Sequence, residues 1–279
     1  YSKKMNNNLT VKNFEDNGYF VDQELVDIVN ASLYLNKPIL IEGPAGTGKT
    51  YLAKTLSKIF KTQLIRLQCH EGIDEDKALY EWNYKKQLLS IQTEKDSKNL
   101  FTEEFLIERP ILQSLRSEKK SIFLVDEIDR SDEEFEALLL EVLAENQVSI
   151  PELGTITSKN NNLTVLTSNA TRELSEALRR RCLYFYLDYP SVDIETKVIL
   201  NNVENISEEK AKKFSIFSNF VRSLGLNKPP SLIESVEWVK YNDSKGEESL
   251  NSNIGILIKD IEDQKIYLEK IKEDNANKN

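Results

Sequence analysis

The stretch Gly43-Pro44-Ala45-Gly46-Thr47-Gly48-Lys49-Thr50 constrains this chain more than any other, because it satisfies the phosphate-binding pattern G-x-x-x-x-G-K-[ST] in full. An apolar run, Pro38-Ile39-Leu40-Ile41, precedes it and reads as a buried parallel strand. Residues 51–60 follow, with Leu52, Leu56 and Ile59 at helical spacing. Glycines in a strand-to-helix turn let backbone N–H groups close around a polyphosphate, and the helix points its positive dipole end at the same oxygens. The predicted ligand is a nucleoside triphosphate, with Lys49 on the β and γ phosphates and the Thr50 hydroxyl on Mg²⁺. A Gly-rich turn followed by a chance Lys-Thr does not account for the full match in this setting.

With 279 residues and 39% hydrophobic content, the chain can bury one large core or two unequal ones. No apolar run approaches the roughly 18 residues that cross a bilayer, and the polar, Asn-rich start is unlike a secretory signal, so a globular cytoplasmic protein without membrane insertion is expected. The only methionine is Met5, so residues 1–4 read either as added residues or as the mark of a displaced start. Cys69 and Cys182 are too few for a disulfide framework and suit a reducing compartment. The single histidine, His70, leaves the usual zinc sites short of ligands and reads as a strand-end residue. A net charge of −9 argues against tight sequence-independent duplex binding, which depends on Lys and Arg neutralising phosphates.

Further along come the parts that turn binding into hydrolysis. Ser121 to Val125 is an apolar, β-rich run ending in Asp126-Glu127, which places two carboxylates at the carboxyl edge of a central strand, where open α/β sheets bind ligands. Asp126 is expected to hold Mg²⁺ through water, and Glu127 to orient or deprotonate the attacking water. The acidic run from Ser131 onward reads as a helix cap, and Glu133, Glu134 and Glu136 as a solvated helix face. A third strand, residues 163–167, ends in Ser168-Asn169, where a neutral amide can position water and report the γ phosphate. Arg179, Arg180 and Arg181 then precede Cys182. Helix-dipole pairing explains one or two of them, whereas an arginine projecting from such a helix end can enter a neighbouring subunit's site.

In their order, these residues resemble Walker A, Walker B, sensor 1 and arginine finger of the AAA+ ATPases, over roughly residues 36–190. The resemblance implies a P-loop αβα core with a parallel sheet, ATP and Mg²⁺ as cofactors, and Lys49, Glu127, Asn169 and Arg181 as catalytic residues. Arg181 is the first choice for the finger and Arg180 the next. The separation of Lys49 from Asp126 exceeds what a minimal core needs, and the surplus at 71–116 fits a helix-2 insert. Residues 147–159 read as a hairpin around Pro151 to Gly154. Insert plus hairpin is similar to the MoxR family. The wording Arg66-Leu67-Gln68-Cys69, Glu71-Gly72-Ile73-Asp74 and Ile150-Pro151-Glu152-Leu153-Gly154 resembles the subgroup that includes the carbon monoxide dehydrogenase maturation ATPases. That likeness implies a ring-forming chaperone, commonly a hexamer, with a protein client, a von Willebrand factor A domain partner and a role in maturing metal centres. Tyr80, Trp82 and Tyr84 read as local core in preference to a partner surface.

From residue 191 onward strand signals give way to helical periods at 193–203, 208–224, 232–241 and 254–271, with a polar tail at 273–279. The expected division is a nucleotide-binding core at 1–190 and a small all-helical lid domain at 191–279. Related lids carry an arginine after a Ser-Pro. Here Lys228-Pro229-Pro230-Ser231 has none, leaving Lys228 as a substitute or lid sensing weak. Residues 6–8, 92–100 and 160–162 read as solvated loops or turns. Two other classes stay open: a nucleic-acid motor, which the acidic charge and the absence of Lys or Arg at the hairpin tip disfavour, and a slow nucleotide-dependent switch, which the intact Glu127 and Asn169 disfavour.

Overall fold

The computed structural model describes residues 8–93, 99–246 and 250–276. Residues 1–7, most of the turn expected within 92–100 and the end of the polar tail lie outside this range. The chain resolves into two compact units, one comprising 8–13, Asp22–Gly43 and Lys49–Tyr186, the other Phe14–Val21, Pro44–Gly48 and the residues from Leu187 onward.

The elements run α1 (Val11–Glu15), α2 (Gln23–Leu35), β1 (Ile39–Glu42), α3 (Lys49–Phe60), β2 (Leu64–Gln68), α4 (Glu75–Ala78), β3 (Tyr80–Trp82) and α5 (Tyr84–Thr93). There follow β4 (Leu106–Glu108), α6 (Pro110–Arg116), β5 (Ile122–Asp126), α7 (Glu133–Glu145), β6 (Gln147–Ile150), β7 (Gly154–Thr157), β8 (Leu163–Ser168), α8 (Glu176–Arg181) and β9 (Leu183–Tyr186). The remainder is helical: α9 (Val192–Asn202), α10 (Glu208–Arg222), α11 (Leu232–Ser244), α12 (Ile254–Leu257) and α13 (Ile261–Ala276).

In the first unit β2, β5, β8, β1 and β9 form a parallel sheet in that spatial order. Every residue of β1, β5 and β8 is buried, as expected of parallel strands covered by helices on both faces. Leu52 and Leu56 of α3 are buried, as are Phe135, Leu139 and Val142 of α7. The Asp132 carboxylate caps α7 by accepting from the Phe135 N–H, and Asn146 ends it in the left-handed region.

The surplus between β2 and β5 holds α4, α5 and the antiparallel pair β3–β4. Its aromatic residues divide: Trp82 is buried, edge-on to Tyr80 and Phe101, whereas Tyr84 is exposed. Strands β6 and β7 form a hairpin with Val148 opposite Ile156, and Val148 and Ile150 anchor it in the core. Asn160 and Asn162 depart from the expected solvated loop. Asn160 donates to the Ser117 carbonyl, and Asn162 both accepts from the Ser121 N–H and donates to the Ser114 carbonyl, so both are structural ties.

In the second unit α9, α10 and α11 are capped by Ser191, Ser207 and Ser231, the last in a reciprocal capping box with Glu234. Trp238 is their centre, edge-on to Phe214 and stacked on Phe217. The single helix expected over 254–271 is in fact two. Asp260 breaks it: its carboxylate accepts from the Glu262 and Asp263 N–H groups and starts α13 anew.

Candidate nucleotide site

Strands β1, β5 and β8 are neighbours, so Gly43, Asp126-Glu127 and Asn169 all emerge from the carboxyl edge of one sheet. Thr50, on the first turn of α3, donates its hydroxyl to Asp126 Oδ1 at 2.8 Å. Thr167 donates to the same oxygen at 2.5 Å, and Arg66 holds Oδ2 with Nε at 3.1 Å and a second nitrogen at 2.5 Å. Asp126 is thus a buried carboxylate with both oxygens fixed and its charge compensated by a half-exposed arginine.

Glu127 follows in the left-handed region, φ 56°, which costs a non-glycine residue energy and persists only where neighbours impose it. Thr167 imposes it by accepting from the Glu127 N–H at 2.9 Å. The Glu127 side chain pairs with Arg130 at 3.2 Å. Lys49 is buried and donates to the Gly43 carbonyl at 2.8 Å. Burial lowers its pKa from the ordinary lysine value, while the negative charges of Asp129, Asp126 and Glu127 push it back up.

Asn169 is half-buried. Its backbone N–H is held by Asp129, and its carboxamide has no hydrogen-bond partner among the described residues. The three arginines of α8 divide cleanly. Arg179 lies over the Tyr184 ring and reaches Glu42, whose carboxylate also accepts from the Tyr184 and Ser168 hydroxyls. Arg180 pairs with Glu176 one turn back. Arg181 is exposed and has no hydrogen-bond or ion-pair partner among the described residues.

In the second unit, the loop residues Pro44–Gly48 are shaped locally. The Thr47 hydroxyl donates to the Pro44 carbonyl, and Tyr19 donates to the Gly48 carbonyl. Gly46 needs to be glycine twice over: its φ is 76°, and a Cβ there would lie 2.3 Å from that of Ser231. Lys228 pairs with Asp260 at 3.0 Å. The lid's buried arginine, Arg222, is spent on Glu195, which it grips with two nitrogens at 2.7 and 2.8 Å.

Residues 38–182 match the family described as the AAA domain, dynein-related subfamily. The chain belongs to this AAA family. Among relatives of the AAA chain, an uncharacterised protein of Staphylococcus epidermidis is 26% identical over 209 residues, covering 73% of this chain and 75% of its own. One of Staphylococcus haemolyticus is 28% identical over 184 residues, covering 64% and 65%. A crystal structure from Cytophaga hutchinsonii is 20% identical with a TM-score of 0.47, covering 71% of this chain and 58% of that one. The AAA core, its parallel sheet and the helices that follow accord with the αβα class, and membership implies nucleotide binding. No described helix is long and apolar enough to cross a membrane.

The position of the loop, Asp126, Glu127 and Asn169 is legible in the chain. Thr167, Arg66, Glu42 and Asp129 are not. Arg66 and Thr167 sit inside strands, where no spacing rule marks them, and the wording around Arg66 carries only a family likeness. Glu136, expected on a solvated face, is buried against Arg172 instead, because only three-dimensional proximity supplies its cation.

Proposed function

We propose that the chain is a Mg²⁺-dependent ATPase that assembles into a ring and remodels a protein client. The observation that carries the reading is the direct bond between the Thr50 hydroxyl and the Asp126 carboxylate, flanked by Lys49 and Glu127. Two hard oxygen donors already in contact fit Mg²⁺, Thr50 as a ligand and Asp126 through water. Gly43 to Thr50 would cradle the triphosphate, with glycine obligatory at Gly46. When bound, the ion supplies neutralisation of charge on the β and γ phosphates. Glu127, fixed by Thr167, orients the attacking water and takes its proton, and Asn169 offers its free carboxamide to the same region.

That Arg181 has no partner among the described residues supports its assignment as the finger that completes a neighbouring copy's site, in preference to Arg179 and Arg180, which are committed within their own chain. The helix-2 insert and the hairpin support the finer MoxR reading, and through it a protein client, a von Willebrand factor A domain partner, a hexamer and a role near metalloenzymes. The division into a core at 1–190 and a lid at 191–279 and the cytoplasmic location are part of the same proposal.

Mixing Arg181→Ala with Lys49→Ala protomers tests the ring: recovered turnover is expected, because each Lys49→Ala copy lends its finger to an intact site. No recovery at any ratio contradicts a finger acting in trans.

A further inference from the structure

Two buried carboxylates hold the short segment that joins Asn169 to the arginine helix. Asp129, in the turn after β5, is 3% exposed and takes three hydrogen bonds on Oδ2. They come from the Asn169 N–H at 3.2 Å, the Thr171 N–H at 3.0 Å and the Thr171 hydroxyl at 2.6 Å. Glu136, on α7, is 1% exposed. One of its oxygens accepts from Arg172 at 2.5 Å and the other from the Ser175 N–H at 2.9 Å. Ser175 is the N-cap of α8, its hydroxyl accepting from Leu178. Arg172 also donates to the Ser131 carbonyl at 2.8 Å.

Burying a carboxylate is costly, and apolar contacts would hold a loop down at least as well. What carboxylates add is direction: each aims at particular N–H groups and so fixes where the backbone turns. Residues 169–171 are therefore registered to the turn that follows Asp126 and Glu127, and residues 172–175 to α7. Asp129 has a second distinguishing feature. Its Oδ1 is buried and has no hydrogen-bond partner among the described residues. A buried acceptor left open in this way marks a place where a further donor belongs.

We propose that Asp129 and Glu136 are positioning residues with separate outputs. Asp129 sets Asn169 at the γ-phosphate position of its own protomer, with Oδ1 accepting from a water of the occupied site. Glu136 sets the start of α8 and so the presentation of Arg181 to a neighbouring copy. The inference rests on the ATPase-ring reading above, and its consequence is that the two carboxylates, only seven positions apart in the chain, act on different active sites.

The test uses the shape-preserving variants Asp129→Asn and Glu136→Gln: the first removes the charge that draws three donors and puts an NH₂, which cannot accept, at the open Oδ1 place, and the second sets an NH₂ against a native donor whichever way the amide turns. Amide hydrogen exchange is measured without nucleotide, and affinities for ATPγS and ADP are measured on the same proteins. Asp129→Asn is expected to speed exchange at Asn169 and Thr171 by about tenfold. It should also lower the preference for ATPγS over ADP by about fivefold, the loss expected when one charge-assisted contact is misplaced. Its turnover is expected to stay low when it is mixed with Lys49→Ala. Glu136→Gln is expected to speed exchange at Ser175, to hold the ATPγS preference within about twofold, and to lose turnover by about tenfold or more, given what a finger contributes. That turnover should return on mixing with Lys49→Ala.

An unchanged ATPγS preference in Asp129→Asn, or the same losses in both variants, overturns the proposal. So does failure of Glu136→Gln to recover where Arg181→Ala does recover. If Arg181→Ala also fails to recover, the ring reading and the Glu136 output fall together, while the nucleotide preference still decides the Asp129 output. Thr171→Ala removes one of the three bonds to Asp129, and a preference lowered by about twofold or more is expected of it should Asp129→Asn fail to fold.

Discussion

Replacing Thr167 by valine removes a hydroxyl that performs two tasks while leaving the shape of a fully buried side chain almost unchanged. The hydroxyl donates to Asp126 at 2.5 Å and accepts from the Glu127 N–H at 2.9 Å. Losing a hydrogen bond to a charged group costs about 1.5–3 kcal/mol, and stranding a buried N–H about 1–3 kcal/mol. Their sum, about 2.5–6 kcal/mol, corresponds to a fall in melting temperature of roughly 5–25 °C for a chain of this size. Thr167→Ser keeps both bonds and loses one buried methyl, worth about 1 kcal/mol. The valine variant also releases Glu127 from its left-handed conformation, so kcat is expected to fall further than KM rises. Thermal melts and steady-state ATPase assays on wild type, Thr167→Ser and Thr167→Val decide the matter. A valine variant that melts with the serine variant and turns over normally refutes the assignment of Thr167 as the residue that sets both carboxylates.

Arg66→Gln restores the full charge of Asp126 and is expected to lower the Mg²⁺ concentration needed for nucleotide binding by about three- to tenfold; a higher requirement would mean that Arg66 mainly orients the carboxylate. Glu195→Ala leaves Arg222, 6% exposed, without its anion and is expected to cost the helical unit about 3–5 kcal/mol. Trp238 fluorescence in a Trp82→Phe background follows that unfolding in urea, and a loss below about 1 kcal/mol contradicts the pairing argument. Burial pushes the thiols of Cys69 and Cys182 up to about 12, so at pH 8 both stay protonated. Neither is expected to react with a thiol reagent until the protein is unfolded, and rapid labelling of either in the native protein counts against its burial.

How much of this can be read from the chain depends on the reach of each interaction. The phosphate loop, the strand before Asp126 and the hairpin are local patterns, complete within a dozen residues, and they fold as their periodicity predicts. Strand β2 is harder, because exposed Arg66 and Gln68 alternate with buried Ile65 and Leu67 over too few positions to exclude a loop. The break before α13 hangs on Asp260 alone, an ordinary residue in a helical period until its carboxylate turns back onto the chain. Asn162, Glu136 and Asp129 are polar residues whose partners lie some forty positions away, so polarity alone suggests solvent for Asn162 and Glu136 and gives no role to Asp129, where the fold supplies donors. The three arginines of α8 are equivalent as letters. Only the positions of Glu42, Tyr184 and Glu176 distinguish the two that are held from the third.

The most direct test of the account is the Glu127→Gln variant, assayed in parallel for binding of a fluorescent ATP analogue and for a single turnover of ATP. The substitution keeps the side chain's size and removes its basicity, so the nucleotide is expected to bind with wild-type affinity while hydrolysis falls by about 10² or more. Wild-type hydrolysis by Glu127→Gln would contradict the assignment of Glu127 as the residue that activates water, and with it the reading of this sheet edge as a hydrolytic site.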